Sequence, residues 1–166
     1  VPVSLLYVSD RQINFLVPSS ASQGTAAIRV STPVGNSPEL TVSLTAVQPG
    51  VFFDSSAGIG AVLFSGTAVS TAQRPATSQD TLEIYATGLG AVQRSTVYAG
   101  LEETITRPEV FVGGVAAEVG FSGLAPGFIG LYQVNTKIGA GTPSGLQPLT
   151  LVMNGVRSNE VPVMIQ

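Results

Sequence analysis

The chain has 166 residues, a formal net charge of −3 and only 10% charged residues, whereas typical soluble domains carry about 25%. It contains no His, Cys or Trp, and Lys137 is its single lysine, so Ser-His-Asp and Cys-His catalytic sites are excluded and zinc lacks its common ligands. Its six arginines are scattered and polar residues, Gly or Pro interrupt every apolar stretch, so we expect neither nucleic-acid binding nor membrane insertion.

Short runs of alternating apolar and polar residues, bounded by Gly, Pro, Asn and Ser, predict β-strands along the whole chain. The predicted strands cover residues 3–8, 11–17, 25–31, 39–45, 51–53, 61–65, 80–87, 108–112, 115–121, 130–138, 147–153 and 159–165. Asn154-Gly155 and Gly113-Gly114 are typical of tight hairpin turns. Residues 66–79, rich in Ser, Thr, Ala and Gln, predict a linker or long loop. Regular spacing of short strands indicates an all-β protein of the β-sandwich type.

Part of the sequence occurs twice with a shift of 121 positions, which takes Gln12-Ile13-Asn14 to Gln133-Val134-Asn135. The same shift superposes apolar residues on apolar residues, among them Leu40, Val42 and Leu44 on Val161, Val163 and Ile165. The pattern predicts two copies of one strand–turn–strand block, because fixed-period similarity indicates duplicated structural units.

The first copy is predicted to belong to an incomplete unit. Val3–Val8 resembles Ala117–Ser122, but nothing before it matches the strands predicted at 80–87 and 108–112. Its uncovered core face would need residues 49–66, a strand of another chain, or sequence outside these 166 residues to cover it.

The second copy resembles IPT/TIG immunoglobulin-like domains in three places. These are the strand that ends in Gly88-Leu89-Gly90, the Gly113-Gly114 hairpin, and the closing Gly155-Val156-Arg157-Ser158-Asn159. More narrowly, Ala125–Asn135 and Pro49-Gly50-Val51-Phe52 resemble the signature of an uncharacterised family at the C-termini of large secreted proteins, especially from Acidobacteria. The resemblance implies immunoglobulin-like β-sandwich units and an exported location, extracellular or at the cell surface. It implies no known reaction.

Together, the repeat and the resemblance predict three segments. Residues 1–48 form an incomplete first immunoglobulin-like unit, residues 49–74 form connecting strands and a linker, and residues 75–166 form the second, IPT/TIG-like unit.

The sequence predicts no catalytic, metal or cofactor site. The acids are dispersed, and the single adjacent pair, Glu102-Glu103, is interpreted as a solvated loop tip, with a weak calcium site as the alternative. No two acids lie in a recognisable glycosidase motif, and Gly58-Ile59-Gly60 is followed by no helix that could bind a phosphate.

Four amides repeat between the two copies: Gln12, Asn14, Gln133 and Asn135. We interpret them as structural groups that bond to loop backbone and hold the strand register, with a repeated ligand contact as the alternative. Most aromatic residues are interpreted as core, including Phe52, Phe53, Phe64 and Phe121.

Three aromatic residues are candidates for interaction. Phe128 lies in an apolar, glycine-flanked loop that could insert into a neighbouring unit, and Tyr98 and Tyr132 could stack on sugars. The sequence therefore predicts a non-catalytic structural or interaction module: a spacer, an adhesin stalk or a fibre subunit, with β-strand complementation as one route of assembly. The expected partners are proteins, through self-association or neighbouring domains. The alternative is a carbohydrate- or surface-binding module with an extracellular polysaccharide as partner.

Overall fold

This computed structural model describes residues 1–64 and 68–166, and the described residues form strands, turns and no helix. The all-β fold predicted from the alternating pattern is therefore confirmed. The chain divides into two compact units, Val1–Ala46 and Val47–Gln166. In the described part of the chain, no helix has the length and apolar character needed to cross a membrane.

The first unit consists of three antiparallel strand pairs. Its strands are β1 (Leu5–Val8), β2 (Ile13–Phe15), β3 (Gly24–Ile28), β4 (Ser31–Thr32), β5 (Gly35–Asn36) and β6 (Leu40–Leu44). β1 pairs with β2, β3 with β6, and β4 with β5. Each pair forms between strands that are close in sequence, as expected for hairpins.

The second unit is a sandwich-like arrangement of antiparallel strands. Its strands are β7 (Gly50–Val51), β8 (Phe53–Asp54), β9 (Ile59–Gly60), β10 (Val62–Phe64), β11 (Ala68–Val69), β12 (Thr81–Thr87), β13 (Val92–Arg94), β14 (Glu102–Thr104), β15 (Glu109–Val112), β16 (Val115–Leu124), β17 (Tyr132–Lys137), β18 (Gly145–Met153), β19 (Val156–Arg157) and β20 (Val161–Ile165). Neighbouring strands follow the order β11-β10-β12-β17-β16-β15-β18-β19, and β20 also pairs with β18.

The long strand β16 connects the two layers of this sandwich. Val115–Ala117 pairs with β15, whereas Glu118–Leu124 pairs with β17. The pairing with β17 shifts between Val119 and Phe121, which leaves Gly120 as the extra residue of a β-bulge. Bulges bend a strand and increase its twist, so this one allows a single strand to serve both layers.

The core of the second unit lies between these layers. Side chains with less than 2% exposure come from both layers: Leu82, Ile84 and Val134 from one, and Val110, Val112, Leu149, Leu151, Val161 and Val163 from the other. They sit at alternate positions of their strands, because successive side chains of a strand point to opposite faces.

Residues 48–64 belong to the second unit. β7 pairs with β12, and the Gln48 N–H donates to the Gly88 carbonyl at 2.9 Å. A Cβ at Gly60 would lie 2.7 Å from the Cβ of Val161, so only a glycine allows β9 to lie this close to β20. This segment was one of three candidates to cover the first unit, and the structure places its strands on the second.

The segment predicted as a linker at 66–79 is partly described, because residues 65–67 lie outside the described residues. Its later part is packed against the second unit. Ala76 is fully buried, forms a parallel bridge with Ile165 and donates its N–H to the Met164 carbonyl at 2.8 Å. The composition was typical of a loop, but these backbone contacts attach the segment to the last strand.

Candidate functional site

The two copies of the repeat pair their strands in the same register. β3 and β6 form five facing pairs, and each becomes a pair of β18 and β20 when 121 is added to both numbers. The pairs are Gly24 with Leu44, Thr25 with Ser43, Ala26 with Val42, Ala27 with Thr41, and Ile28 with Leu40 in the first copy, and Gly145 with Ile165, Leu146 with Met164, Gln147 with Val163, Pro148 with Pro162, and Leu149 with Val161 in the second. The predicted duplication of this block is confirmed at the level of strand pairing.

A serine makes the same hydrogen bonds in both copies. The Ser37 hydroxyl accepts from the Val30 N–H at 3.0 Å and donates to the Pro38 carbonyl at 2.8 Å. The Ser158 hydroxyl accepts from the Leu151 N–H at 2.9 Å and donates to the next carbonyl at 2.7 Å. These bonds join the short hairpin of each copy to the strand that precedes it.

The strand that precedes Gln12-Ile13-Asn14 and the strand that precedes Gln133-Val134-Asn135 also correspond to each other, but with a shift of 114. β1 pairs with β2 as residues 119–122 of β16 pair with β17, and the bulge at Gly120 has its counterpart at Leu6. The difference between the shifts, 121 and 114, means that the connection to β17 is seven residues longer than the connection to β2. The extra length is the loop that carries Phe128.

The two copies differ in burial. Leu40 is 63% exposed, whereas its counterpart Val161 is 1% exposed. Val30 is 39% exposed, whereas its counterpart Leu151 is fully buried. Among residues 1–46, all of which the structure describes, no residue is buried. The same block is thus part of a buried core in one unit, whereas in the other Ile13, Phe15, Ile28 and Val42 are half-buried and Val30 and Leu40 are exposed.

We give the name open face to six side chains of the first unit that are not buried although their counterparts in the second unit are: Ile13, Phe15, Ile28, Val30, Leu40 and Val42. Their counterparts come from both layers of the second unit's sandwich. In the second unit, β12 lies beside β17 and β15 lies beside β18. Among the strands that the structure describes, β2 pairs with β1 alone and β3 with β6 alone, so each has one edge without a strand partner.

The repeated amides bond to each other. Gln12 donates its Nε2 hydrogen to the Asn14 Oδ1 at 2.7 Å, and Gln133 donates to the Asn135 Oδ1 at 2.8 Å. Their strand positions alternate with the core-facing residues, so they lie on the outward face of β2 and β17. The expected bonds to loop backbone are not what the structure shows in its described part. The pairs instead stabilise the strand surface.

Tyr132 and Tyr98, two of the predicted interaction residues, are held by separate contacts. The Tyr132 hydroxyl donates to the Gly90 carbonyl, and burial raises the pKa of this tyrosine. Tyr98 packs edge-on against Phe121, with ring centroids 5.5 Å apart, and its hydroxyl lies 3.5 Å from the Gly120 carbonyl. Tyr132 is thus mainly a packing residue, whereas Tyr98 remains 39% exposed.

Phe128 lies at an exposed loop tip. The Ala125 N–H donates to the Leu131 carbonyl at 2.9 Å and closes the base of the loop. Phe128 is 64% exposed and Ile129 is 67% exposed, so two adjacent apolar side chains point into solvent. The structure therefore presents an apolar tip at the place where the sequence suggested one.

A groove that no sequence pattern indicated lies on the second unit. It is an open depression of about 630 Å³ lined by Phe52, Phe53, Asp54, Ile59 and Leu63 among others. Phe52 and Phe53 are 47% and 46% exposed, although aromatic residues were assigned to the core. The side chains of two consecutive residues in extended backbone point in opposite directions, so both aromatic side chains cannot face the same core.

Acidic residues form no shared site in the described residues. Glu102 and Glu103 lie on β14 and not at a loop tip, and Glu103 faces Arg107 at 3.5 Å. The hydroxyl and backbone N–H of Ser56 and the backbone N–H of Ala57 lower the pKa of Asp54, which closes a turn. Within the described ranges, no three acidic side chains lie close enough together to hold a metal ion.

No protein-family model, curated protein or solved structure matches this chain. The resemblance to IPT/TIG domains and to an exported family therefore stays a prediction.

Proposed function

We propose that this chain is a non-catalytic structural and interaction module that associates with protein partners through the open face of its first unit. The observation that carries the proposal is the difference in burial between two blocks with identical strand registers. Residues whose counterparts are buried in one copy are half-buried or exposed in the other.

The energetics of the open face favour a partner. Full burial of one Val, Leu, Ile or Phe side chain stabilises a protein by about 1.5–3 kcal/mol. In the second unit, the apolar counterparts of the open face belong to one buried cluster that also contains residues of β12 and β15. A partner that covers the open face would supply the same contribution to the first unit, so folding and association would be coupled.

The setting we propose is an exported or cell-surface protein, in which the chain acts as a spacer, an adhesin stalk or a fibre subunit. The low content of charged residues, 10%, supports this setting, because surfaces rich in Ser, Thr and Gly are common in such proteins. The resemblance to IPT/TIG-type immunoglobulin-like units points in the same direction. The absence of His and Cys from the sequence removes the usual nucleophile–base pairs and favours a non-catalytic role.

The test compares two leucines of equal exposure. Leu40 belongs to the open face and is 63% exposed, and Leu146 lies on β18 and is 65% exposed. We expect concentration-dependent association, measured by sedimentation velocity or by co-sedimentation with a partner protein, to be lost in Leu40→Asp and kept in Leu146→Asp. Equal behaviour of the two variants would remove the open face from the proposal.

A second function is favoured by the groove beside Phe52 and Phe53, because exposed aromatic side chains can stack on sugar rings. In this case the partner is an extracellular polysaccharide. Binding to a glycan array that is lost in Phe52→Ser and kept in Leu40→Asp would favour this function. No glycan binding by the parent chain would contradict it.

A further inference from the structure

The edge of β2 that faces away from β1 indicates what kind of partner the first unit binds. This inference rests on the proposed interaction function. We propose that this edge accepts one β-strand from another polypeptide chain. The incoming strand pairs antiparallel with residues 12–16, in the register in which β12 pairs with β17, and it carries apolar residues at alternate positions.

The backbone of β2 shows which groups face this edge. The Gln12 carbonyl accepts from the Ser9 N–H at 2.8 Å, and the Leu16 N–H donates to the Ser4 carbonyl at 3.1 Å. Residues 12 and 16 therefore direct their backbone groups toward β1. Backbone groups alternate in direction along an antiparallel strand, so Ile13 and Phe15 direct theirs toward the open edge.

The second unit shows how such an edge is completed. Ile84 of β12 faces Val134, and Leu82 faces Thr136. Val134 and Thr136 are the counterparts of Ile13 and Phe15, and all four partners in the second unit are buried. An incoming strand in this register therefore places one apolar side chain opposite Ile13 and another opposite Phe15.

The second copy of the repeat also predicts which side chains the incoming strand carries on its outward side. Glu83 faces Asn135 and Tyr85 faces Gln133 in the second unit. The same amide pair is present as Gln12 and Asn14. We therefore expect polar or amphipathic residues between the two apolar positions of the incoming strand, because these side chains lie beside the amides.

The edge lacks the features that keep strands apart. Natural edge strands carry charged side chains, proline or bulges that discourage pairing with other chains. Residues 12–17 read Gln-Ile-Asn-Phe-Leu-Val, with no charged residue and no proline before Pro18. The bulge at Leu6 lies in β1, so β2 itself remains regular. An uncharged, regular edge is suited to β-strand addition.

The experiment adds a synthetic peptide to the full 166-residue chain and measures amide hydrogen exchange residue by residue by NMR. The peptide has the sequence of residues 79–88, because β12 is the strand that the structure shows on the equivalent edge. We expect the amides of Ile13 and Phe15 to exchange at least about tenfold more slowly with peptide. The matched control is the same peptide with serine at the positions of Leu82 and Ile84.

A protein variant provides a second control. Phe15→Pro removes a donor from the open edge and leaves the bonds from residues 12 and 16 to β1 in place, and we expect it to abolish the effect of the peptide. Exchange of the amides of β3 and β6 reports whether this variant stays folded. If it does not, the comparison of the two peptides still decides the result.

Three results would overturn strand addition: no slowing at saturating peptide, equal slowing with the control peptide, or changes confined to β12 and β17. Self-association that depends on Leu40 but leaves Ile13 and Phe15 unprotected would also overturn it, while the proposed function would stand. Protection of these two amides at high protein concentration without peptide would identify the donor strand as part of a second copy.

Discussion

Asn159 acts as a clamp at the residue scale. Its Oδ1 accepts from the Val51 N–H at 2.8 Å, and its Nδ2 donates to the Val51 carbonyl at 3.0 Å. β7 pairs with β12 on one side, and the side-chain amide bonds to its other side, so that it helps to hold the segment 48–64 in the second unit. The counterpart in the first copy is Pro38, which has no such amide.

We expect Asn159→Ala to destabilise the second unit by about 1–3 kcal/mol, because two backbone groups of Val51 lose their partners. The free energy of unfolding from urea denaturation measures the effect. Gln79→Ala is the control, since Gln79 is exposed and its side chain lies in a turn. Equal stability of the two variants would contradict the role of the clamp.

The raised pKa of Tyr132 makes the stability of the folded state depend on pH in the alkaline range. Burial raises its pKa, so the folded state keeps the phenolic proton at a pH where the unfolded state has lost it. Its stability contribution is complete below about pH 10 and decreases as the pH rises through the folded-state pKa. The same direction holds for Tyr85, whose pKa is raised by burial and by Glu83.

We expect Tyr132→Phe to lose about 1 kcal/mol at neutral pH, because the hydrogen bond to the Gly90 carbonyl disappears. We also expect it to lose less stability than the parent chain between about pH 9 and 11. Urea denaturation across this pH range measures both effects. A steeper alkaline loss in the variant would show the opposite sign of coupling.

At the scale of elements, a comparison of the two copies separates the effect of burial on stability from the effect of hydrogen bonding on stability. Ser37 and Ser158 make the same bonds in the same hairpin, but Ser37 is exposed and Ser158 is 9% exposed. Water can replace a lost bond at the first site and has far less access to the second.

We therefore expect Ser158→Ala to cost about 1–3 kcal/mol, whereas Ser37→Ala stays within about 0.5 kcal/mol. Amide exchange at Leu151 and Val30, the two residues that donate to these hydroxyls, locates the effect. Ser158→Thr keeps a hydroxyl and serves as the control. Equal costs at the two serines would mean that burial does not decide the value of this bond.

The sequence predicted most elements because its alternation and its turn residues act locally. The hairpin signals Asn154-Gly155 and Gly113-Gly114 form the turns between β18 and β19 and between β15 and β16. Asn154 has a φ of 50°, a left-handed conformation that this residue tolerates. Glu102-Glu103 lies on β14 and not in the predicted loop, because it pairs with Gln93 and Arg94 of β13, and neither strand has the alternation of apolar and polar residues that indicates a strand.

At the scale of the whole molecule, the two units differ in how much core they have. Among its described residues, the second unit has twelve large side chains with less than 2% exposure, whereas residues 1–46, described throughout, contain no buried residue. Small units need a buried core to offset the conformational entropy lost on folding. The first unit on its own should therefore be far less stable than the second.

This difference predicts distinct exchange rates for matched amides. We expect amides of β3 and β6 to exchange at least about 100-fold faster than their counterparts in β18 and β20, through opening of the first unit alone. Hydrogen exchange at a concentration where the chain is monomeric measures this, with Ala26 and Gln147 as one matched pair. Equal protection of the two strand pairs would show that the first unit is stable without a partner.

By itself, the sequence determined the all-β class, the duplicated block and its turns, because alternation, turn residues and repetition are properties of neighbouring residues. The tertiary structure alone decided which copy is buried, since Leu40 and Val161 are both apolar and occupy the same register, but one is exposed and the other is buried. It also decided that residues 48–64 lie on the second unit, through the clamp at Asn159 and the contact at Gly60. Burial depends on contacts between residues far apart in the chain, and a local pattern does not encode them.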